Sequence, residues 1–328
     1  MKTVLITGGN GFLGANLALR MTKEGFQVRL LSRGTHMNPS LQNVPVEQFI
    51  GDIQDLSAVR KAVKGIDVVI HTAAKVSYWG KEYEEMHAIN VGGTQNMIEA
   101  ALEAGIEKFI HISSIAAVGS YSELRKPTDE DAPDRDPRYS TGYGRTKLRS
   151  ERLVREALRH GLPAVILNPS VMVGEHDRQF LTGRLIRDVV RGRMIAYPGG
   201  GTNIVYVQDV VSSVIKSISH GRIGERYILS GNNVSFKQLF TEIADITSSV
   251  RPLFPIPPTA VKMVSMISEI YATLTDTKPW LPRDLARGAG VFRYYSSKKA
   301  ERELDHPVTA ISTTIRNTYL WYKSNGFL

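Results

Sequence analysis

Apolar residues fall along this chain in short runs separated by stretches of helical period. Val4, Leu5 and Ile6 make a run of strand length, so residues 2–6 are predicted as a buried parallel strand. From about residue 12 to 24 the apolar positions return on one face, which predicts a helix. QVRLL at 27–31 predicts a second strand, and a third ends at Gly51, Asp52 and Ile53. VVIHTAA at 68–74 reads as a fourth strand running into a loop of small residues, and Phe109 to Ile112 reads as a further one. This alternation of strand and helix runs to about residue 168. It predicts an α/β fold with a doubly wound parallel sheet.

Beyond residue 168 the pattern changes. Residues 209–215, DVVSSVI, predict a helix that returns to the sheet. Residues 235–240, SFKQLF, predict another with Ser235 as its N-cap. The prolines of RPLFPIPP at 251–258 exclude a helix there and predict an extended arm. Residues 259–275 are rich in Met, Ile and Val around Glu269 and Tyr271. This predicts a helix, read as a cover or core element of the substrate pocket in preference to one resting on a membrane surface. A last helix is predicted at 309–324, its Tyr319, Trp321 and Tyr322 serving packing. The loop 120–142 is polar and carries Pro127, Pro133 and Pro137. The expected organisation is a dinucleotide-binding domain at 1–168, to which 203–230 returns in part, and a smaller, mainly substrate-binding region at 169–328.

Chemistry enters at the end of the first strand. TGGNGFLG, Thr7 to Gly14, places glycines at 8, 11 and 14 between a strand and a helix. Gly8 permits the tight turn, Gly11 lets backbone approach a pyrophosphate, and Gly14 lets the helix pack close to the strand. With Phe12 and Leu13 they form a cradle at a positive helix N-terminus, the Rossmann-type device for a dinucleotide. The second strand ends in Ser32 and Arg33, where a carboxylate for a ribose hydroxyl is usual. The guanidinium fork of Arg33 suits a phosphate, so NADP(H) is the expected cofactor and NAD(H) the alternative. Thr72, Ala73, Ala74 and Lys75 follow the fourth strand and let backbone come close to the cofactor. His71 reads as structural.

The second chemical signal is YGRTK. Tyr143 and Lys147 stand one helical turn apart on one face, downstream of Ser113 and Ser114. A phenol with a pKa of about 10 exchanges protons poorly at neutral pH, and a nearby ammonium is expected to lower it. Tyr143 would then pass a proton to or from a substrate oxygen held by a serine hydroxyl.

These residues resemble the extended short-chain dehydrogenase/reductase superfamily, the NAD-dependent epimerase/dehydratase family, and within it the dihydroflavonol-4-reductase-like group. The resemblance covers nearly the whole chain. It implies Ser114 as the catalytic hydroxyl, with Ser113 second, and Asn90 of NVGGT as a support for the active site. It implies Asp52 and Ile53 beside the adenine, Lys147 on the nicotinamide ribose, and Pro169 and Ser170 of NPSVMVG at the nicotinamide face. Many sugar-nucleotide epimerases carry Arg before that proline, where this chain has Asn168. Segments 192–194, 205–210 and 224–229 are similar to a bacterial subgroup labelled hopanoid-associated sugar epimerase. A homodimer through helices near 86–104 and 143–160 is a further expectation of the resemblance.

Composition adds limits. The 328 residues, 42% hydrophobic, suffice for a large core, and without cysteine neither disulfides nor thiol chemistry arise. No signal peptide or run of membrane-spanning length is visible, so a cytoplasmic enzyme is expected. The net charge of +9 comes from scattered Lys and Arg, read as a solvated surface and a sink for a polyanionic cofactor; no nucleic-acid partner is expected. There is no HExxH or carboxylate cluster, so no metal is expected. Candidate substrate contacts are Tyr78, Trp79, Tyr121, His176, Arg178 and Tyr206. The expected function is reduction of a ketone or aldehyde, or oxidation of the matching alcohol. The rivals are a nucleotide-sugar epimerase or dehydratase that retains its cofactor, and a non-catalytic cofactor sensor.

Overall fold

The computed structural model describes residues 2–34, 37–119, 126–134, 136, 140–180 and 182–328. Its first half runs β1 (Thr3–Thr7), α1 (Phe12–Lys23), β2 (Gln27–Ser32), β3 (Val46–Ile50), α2 (Leu56–Val63), β4 (Val68–His71), α3 (Tyr83–His87), a π turn at Ala88–Gly92, α4 (Gly93–Ala104), β5 (Lys108–Ile112), α5 (Gly142–Leu158) and β6 (Ala164–Pro169). The second half runs β7 (Val171–Val173), α6 (Arg184–Val190), β8 (Ala196–Pro198), β9 (Gly201–Tyr206), α7 (Val207–His220), β10 (Arg226–Leu229), β11 (Asn232–Ser235), α8 (Phe236–Thr247), β12 (Phe254–Ile256), α9 (Pro258–Thr275), α10 (Arg283–Ala286), α11 (Lys298–Leu304) and α12 (Ile311–Ser324).

Seven strands form one sheet in the order β3-β2-β1-β4-β5-β6-β10, with every neighbouring pair parallel. Strands buried on both faces must be apolar throughout, and β4 and β6 are buried along their whole length. One face packs on α1, α7 and α11 and the other on α2, α4 and α5. The strand order reverses between β1 and β4. There the two following loops part and leave a crevice at the carboxyl ends of the strands. Residues beyond 168 thus complete the sheet: β10 pairs with β6, and α7 packs on α1. A smaller core around Val173, Ile186, Phe240 and Ile315 joins the sheet β11-β9-β7 to α6, α8 and α12.

Local signals explain the element ends. Ser235 caps α8 through a reciprocal capping box with Gln238. Residues 254–256 of the predicted arm form β12, but Pro258 opens α9, because a proline at the first helical position gives up only an amide that had no partner. Of the two expected roles of α9, cover or core, the core role is corrected. It buries Ser265, Ser268 and Ala272 and turns its Met and Ile side chains outward.

His71 and His111 lie side by side in register on β4 and β5, their rings 5.6 Å apart. The His71 ring meets the hydroxyls of Thr7 at 2.8 Å and Thr94 at 3.0 Å, a structural role, while both ring nitrogens of His111 are buried without a partner. Burial, then the nearby Lys147 charge, holds His71 down to about 3 and His111 well below its ordinary value. Both stay neutral in the fold when the unfolded chain takes up protons. Their stability contribution is therefore whole above the unfolded pKa of about 6.5 and lost as pH falls below it. At pH 5 the loss is about 2 kcal/mol for His71, and His111 adds a loss of the same sign. Urea unfolding at pH 7 and pH 5 tests this. His111→Leu should remain folded, because it removes two unsatisfied nitrogens, and should shrink the loss.

Candidate active site

The crevice at the strand reversal has a volume of about 610 Å³. Gly8, at φ +66°, turns the chain out of β1 so closely over the β4 loop that a Cβ there would stand 2.9 Å from Ala73 Cα. A Cβ on Gly14 would stand 2.3 Å from the Gly8 carbonyl oxygen, so α1 starts closer to β1 than any side chain permits. The Thr72 hydroxyl donates to the Thr7 carbonyl at 2.6 Å, tying the two loops together. No side chain caps α1 at Gly11, and the first turn, Phe12 and Leu13 included, faces the crevice. That is the donor set a pyrophosphate requires.

Other candidate residues line the same crevice. Arg33, Asp52 and Ile53, the candidates for the adenine side, lie together at one end of it, with Arg33 exposed at the mouth. Asp52 accepts from the Gln54 amide at 2.9 Å, and Ile53 packs where Gly93 leaves room for it. Thr72 to Lys75 line the middle, and Ser113, Tyr143 and Lys147 the far end. Ser113 lines the crevice and is buried, and its hydroxyl has no protein partner. The bare helix N-terminus, the glycine cradle and this hydroxyl together fit a dinucleotide.

Asn90 works one layer behind. The π turn at Ala88–Gly92 carries it inward, where its amide accepts from Lys75 N at 2.7 Å and donates to Lys75 O and Thr146 Oγ1, both at 2.9 Å. Its carbonyl accepts from Ser150 at 2.7 Å, so one residue ties the β4 loop to α5.

The Tyr143 hydroxyl lies near that of Ser114, and its ring meets Tyr78 edge-on at 6.3 Å. Ser114 also accepts from the Ala116 amide. Lys147 is 4% exposed, and its ammonium donates to the Ile112 carbonyl at 2.6 Å. Burial brings it down to about 8, against the pull of Glu151 one turn further along. Lys147 therefore does not bring the Tyr143 phenol down, as the spacing suggested. Burial, then Tyr78, pushes that phenol above its ordinary range, and the nearby Ser114 hydroxyl works the other way. Tyr143 thus keeps its proton across neutral pH, the state a proton donor needs.

Sequence reasoning missed the support beneath this group. Glu151 is fully buried and accepts from Asn168 at 2.5 Å, while the same Asn168 amide donates to the Ser114 carbonyl at 2.9 Å. Arg155 and Arg226 close on the carboxylate at 2.8 and 3.4 Å. The available signal was an acid four residues after Lys147, on the same helix face.

Not every candidate reaches the far end. Pro169 closes β6, and Ser170 donates its amide to Leu229, but Met172 is the crevice wall there. His176 and Arg178 are corrected. His176 turns the chain at φ +69° and meets Ser40 at 2.7 Å, which places both in a separate cavity of about 280 Å³ beside Asn10 and Phe12, at the glycine turn. Tyr206 donates to Glu175 at 2.6 Å and accepts from Asn317, so it serves to hold α12. Tyr78 and Trp79 line a third cavity of about 410 Å³ with Gly142, Glu269, Arg283 and Asp284, next to Tyr143. Tyr121 lies outside the described residues, as does Pro137. Among the described residues no group of three His, Asp or Glu could hold a metal, and no helix is long and apolar enough to cross a membrane.

The model of the NAD dependent epimerase/dehydratase family matches residues 4–230. The chain is 30% identical over 99% of its length to the whole of sterol demethylase protein B of Methylococcus capsulatus. It is 28% identical over 95% of its length to 97% of 2-alkyl-3-oxoalkanoate reductase of Stenotrophomonas maltophilia. The crystal structure of gox2253 superposes with a TM-score of 0.88 at 33% identity, covering both chains fully.

The Lys147 and Glu151 geometry generates a pH test. Cofactor-dependent turnover should fall as pH rises through about 8, where Lys147 discharges. In Glu151→Gln the fall should move down by about one unit, since the favourable charge is gone. An unmoved profile in a folded variant would deny Glu151 this role.

Proposed function

The chain belongs to the NAD dependent epimerase/dehydratase family and is an NAD(P)-dependent oxidoreductase of the extended short-chain dehydrogenase type, and from that premise we propose that it reduces a ketone or aldehyde on an apolar body with NADPH, or oxidises the matching alcohol. The carrying observation is Tyr143 and buried Lys147 together at the far end of the crevice, with Ser114 near the phenol.

A bound nicotinamide supplies or receives the hydride at the substrate carbon. Gly8, Gly11 and Gly14 with the first turn of α1 hold its pyrophosphate, and Lys147 and Ser113 face its ribose end. Ser114 orients the substrate oxygen. Tyr143 gives that oxygen its phenolic proton as negative charge develops there, or takes the proton in the reverse direction. Lys147 presents a positive charge at the far end of the crevice, where that negative charge develops. Arg33 supports the choice of NADP(H): it directly follows β2 and lines the crevice, at the chain position where a carboxylate for a ribose hydroxyl is usual.

Three features support an apolar substrate. Tyr78 lies against the Tyr143 ring, Trp79 lines the adjoining cavity, and the similar 2-alkyl-3-oxoalkanoate reductase is named for a ketone that carries alkyl chains. Arg178, the cation that could serve a sugar nucleotide's diphosphate, sits instead in the cavity at the glycine turn.

NADPH should bind more tightly than NADH, and Arg33→Asp should remove about tenfold or more of that preference, the worth of one charged contact at roughly 1.5–3 kcal/mol. Equal affinities in the wild type would refute the cofactor choice. Tyr143→Phe should leave NADPH binding intact and cut turnover by roughly 10²–10⁴. In a screen by NADPH consumption and thermal shift, aliphatic or flat ketones and aldehydes should respond. Stabilisation by nucleotide sugars alone, with cofactor retained and none consumed, would establish the epimerase reading instead.

A further inference from the structure

We propose that α9, with β12 before it and the segment 280–285 after it, docks on the surface of an anionic lipid bilayer. An ordinary surface helix turns its apolar stripe to the core. Helix α9 is inside out: Ser265, Ser268 and Ala272 face the protein, and Met263, Ile267, Ile270 and Leu274 form a stripe at helical spacing on the opposite side, with Leu274 81% exposed. Tyr271 and Trp280, in ring contact, widen the stripe, and exposed Leu253 and Phe254 stand in the segment that leads into α9. A patch of that breadth on a water-soluble surface marks an interaction site.

Charge selects the occupant. Three ion pairs border the patch: Lys278 with Glu82, Arg283 with Glu269, and Arg287 with Asp284. In each the cation is the outward member, 55–71% exposed, and the acid the inward one, 16–23% exposed. Exposed Lys262 adds a cation on α9 itself, and Asp276, beside Lys81, is the acid on the outer side. An apolar face with a cationic rim and a Tyr271–Trp280 pair, rings 5.8 Å apart, matches a bilayer interface: acyl chains below, anionic headgroups around, aromatic rings between. Among the described residues no helix is long and apolar enough to cross the bilayer, so the contact lies in its plane.

The patch adjoins the reacting groups. Glu269, Arg283 and Asp284 line the cavity of Tyr78 and Trp79, and Asp284 accepts from the Gly142 amide at 2.7 Å, one residue before Tyr143. A substrate dissolved in lipid would enter there without crossing water. That delivery role rests on the proposed reduction of apolar carbonyls; the docking itself does not.

The test is flotation of the full chain with vesicles of phosphatidylcholine alone and of phosphatidylcholine mixed equally with phosphatidylglycerol. The protein should float with the anionic vesicles, not with the neutral ones, and raised salt should release it. Ile267→Glu and Leu274→Glu, both at exposed positions, should each weaken binding about tenfold or more while NADPH affinity and melting temperature hold. Failure of the wild type to float with anionic vesicles overturns the proposal. So does a concentration-dependent dimer that Ile267→Glu abolishes, which would give the face to a second copy. Vesicle binding without turnover of any ketone would uphold the docking and refute the reductase reading.

Discussion

A lysine ammonium stripped of water must be compensated by its surroundings, and the burial of Lys147 is the constraint from which most of the site follows. One carbonyl, that of Ile112, meets the charge directly, and Glu151 supplies the opposite charge one turn along α5. Glu151 is itself a buried charge and needs partners in turn. It finds them in Arg155, Arg226 and Asn168, which belong to α5, β10 and β6. Through Asn168 the chain of compensation returns to the Ser114 backbone, near the Tyr143 phenol. The outermost strand of the sheet, β10, is thereby coupled to the proton-transfer group.

This also explains the division of labour between tyrosine and lysine. A phenol in a dry pocket holds its proton more firmly than in water, and an ammonium in the same pocket holds its own less firmly. The crevice thus combines a fixed positive end at the glycine turn, where backbone dipoles do the binding, with an end near the phenol that is finely balanced in charge.

Much of this is legible in the residues. Strands buried on both faces must be written in unbroken apolar letters, and the cores of β1, β4, β5 and β6 largely are. Glycines at 8, 11 and 14 have a defined use once a strand precedes them and a helix follows: a turn, a close backbone approach and a tight packing contact. Tyr143 and Lys147 share a face because four residues make about one turn. Contacts between elements distant in sequence, and departures from the usual polarity, are not legible in this way. Nothing local links Asn168 to Glu151. His176 and Arg178 follow β7, and chain order alone puts them at the reacting end, but the positive φ at His176 turns them to the glycine loop. The apolar period of α9 suggests a covered helix, whereas its serines are the residues that face inward. Periodicity gives the angle between two faces and is silent on which one meets water.

The π turn at Ala88–Gly92 has a consequence for how this chain can vary. Each residue in an α-helix advances the side chains by about 100°. One extra residue in the turn lets Met86 before it and Met97 after it both face the interior, with Asn90 between them reaching the β4 loop. Deleting any single residue from 83–104 would restore regular winding and rotate one half of the helix against the other. Either the core side chains or the Asn90 amide would then point the wrong way. In this segment a change of length disturbs every position on one side of it at once, so it must come as a compensated pair.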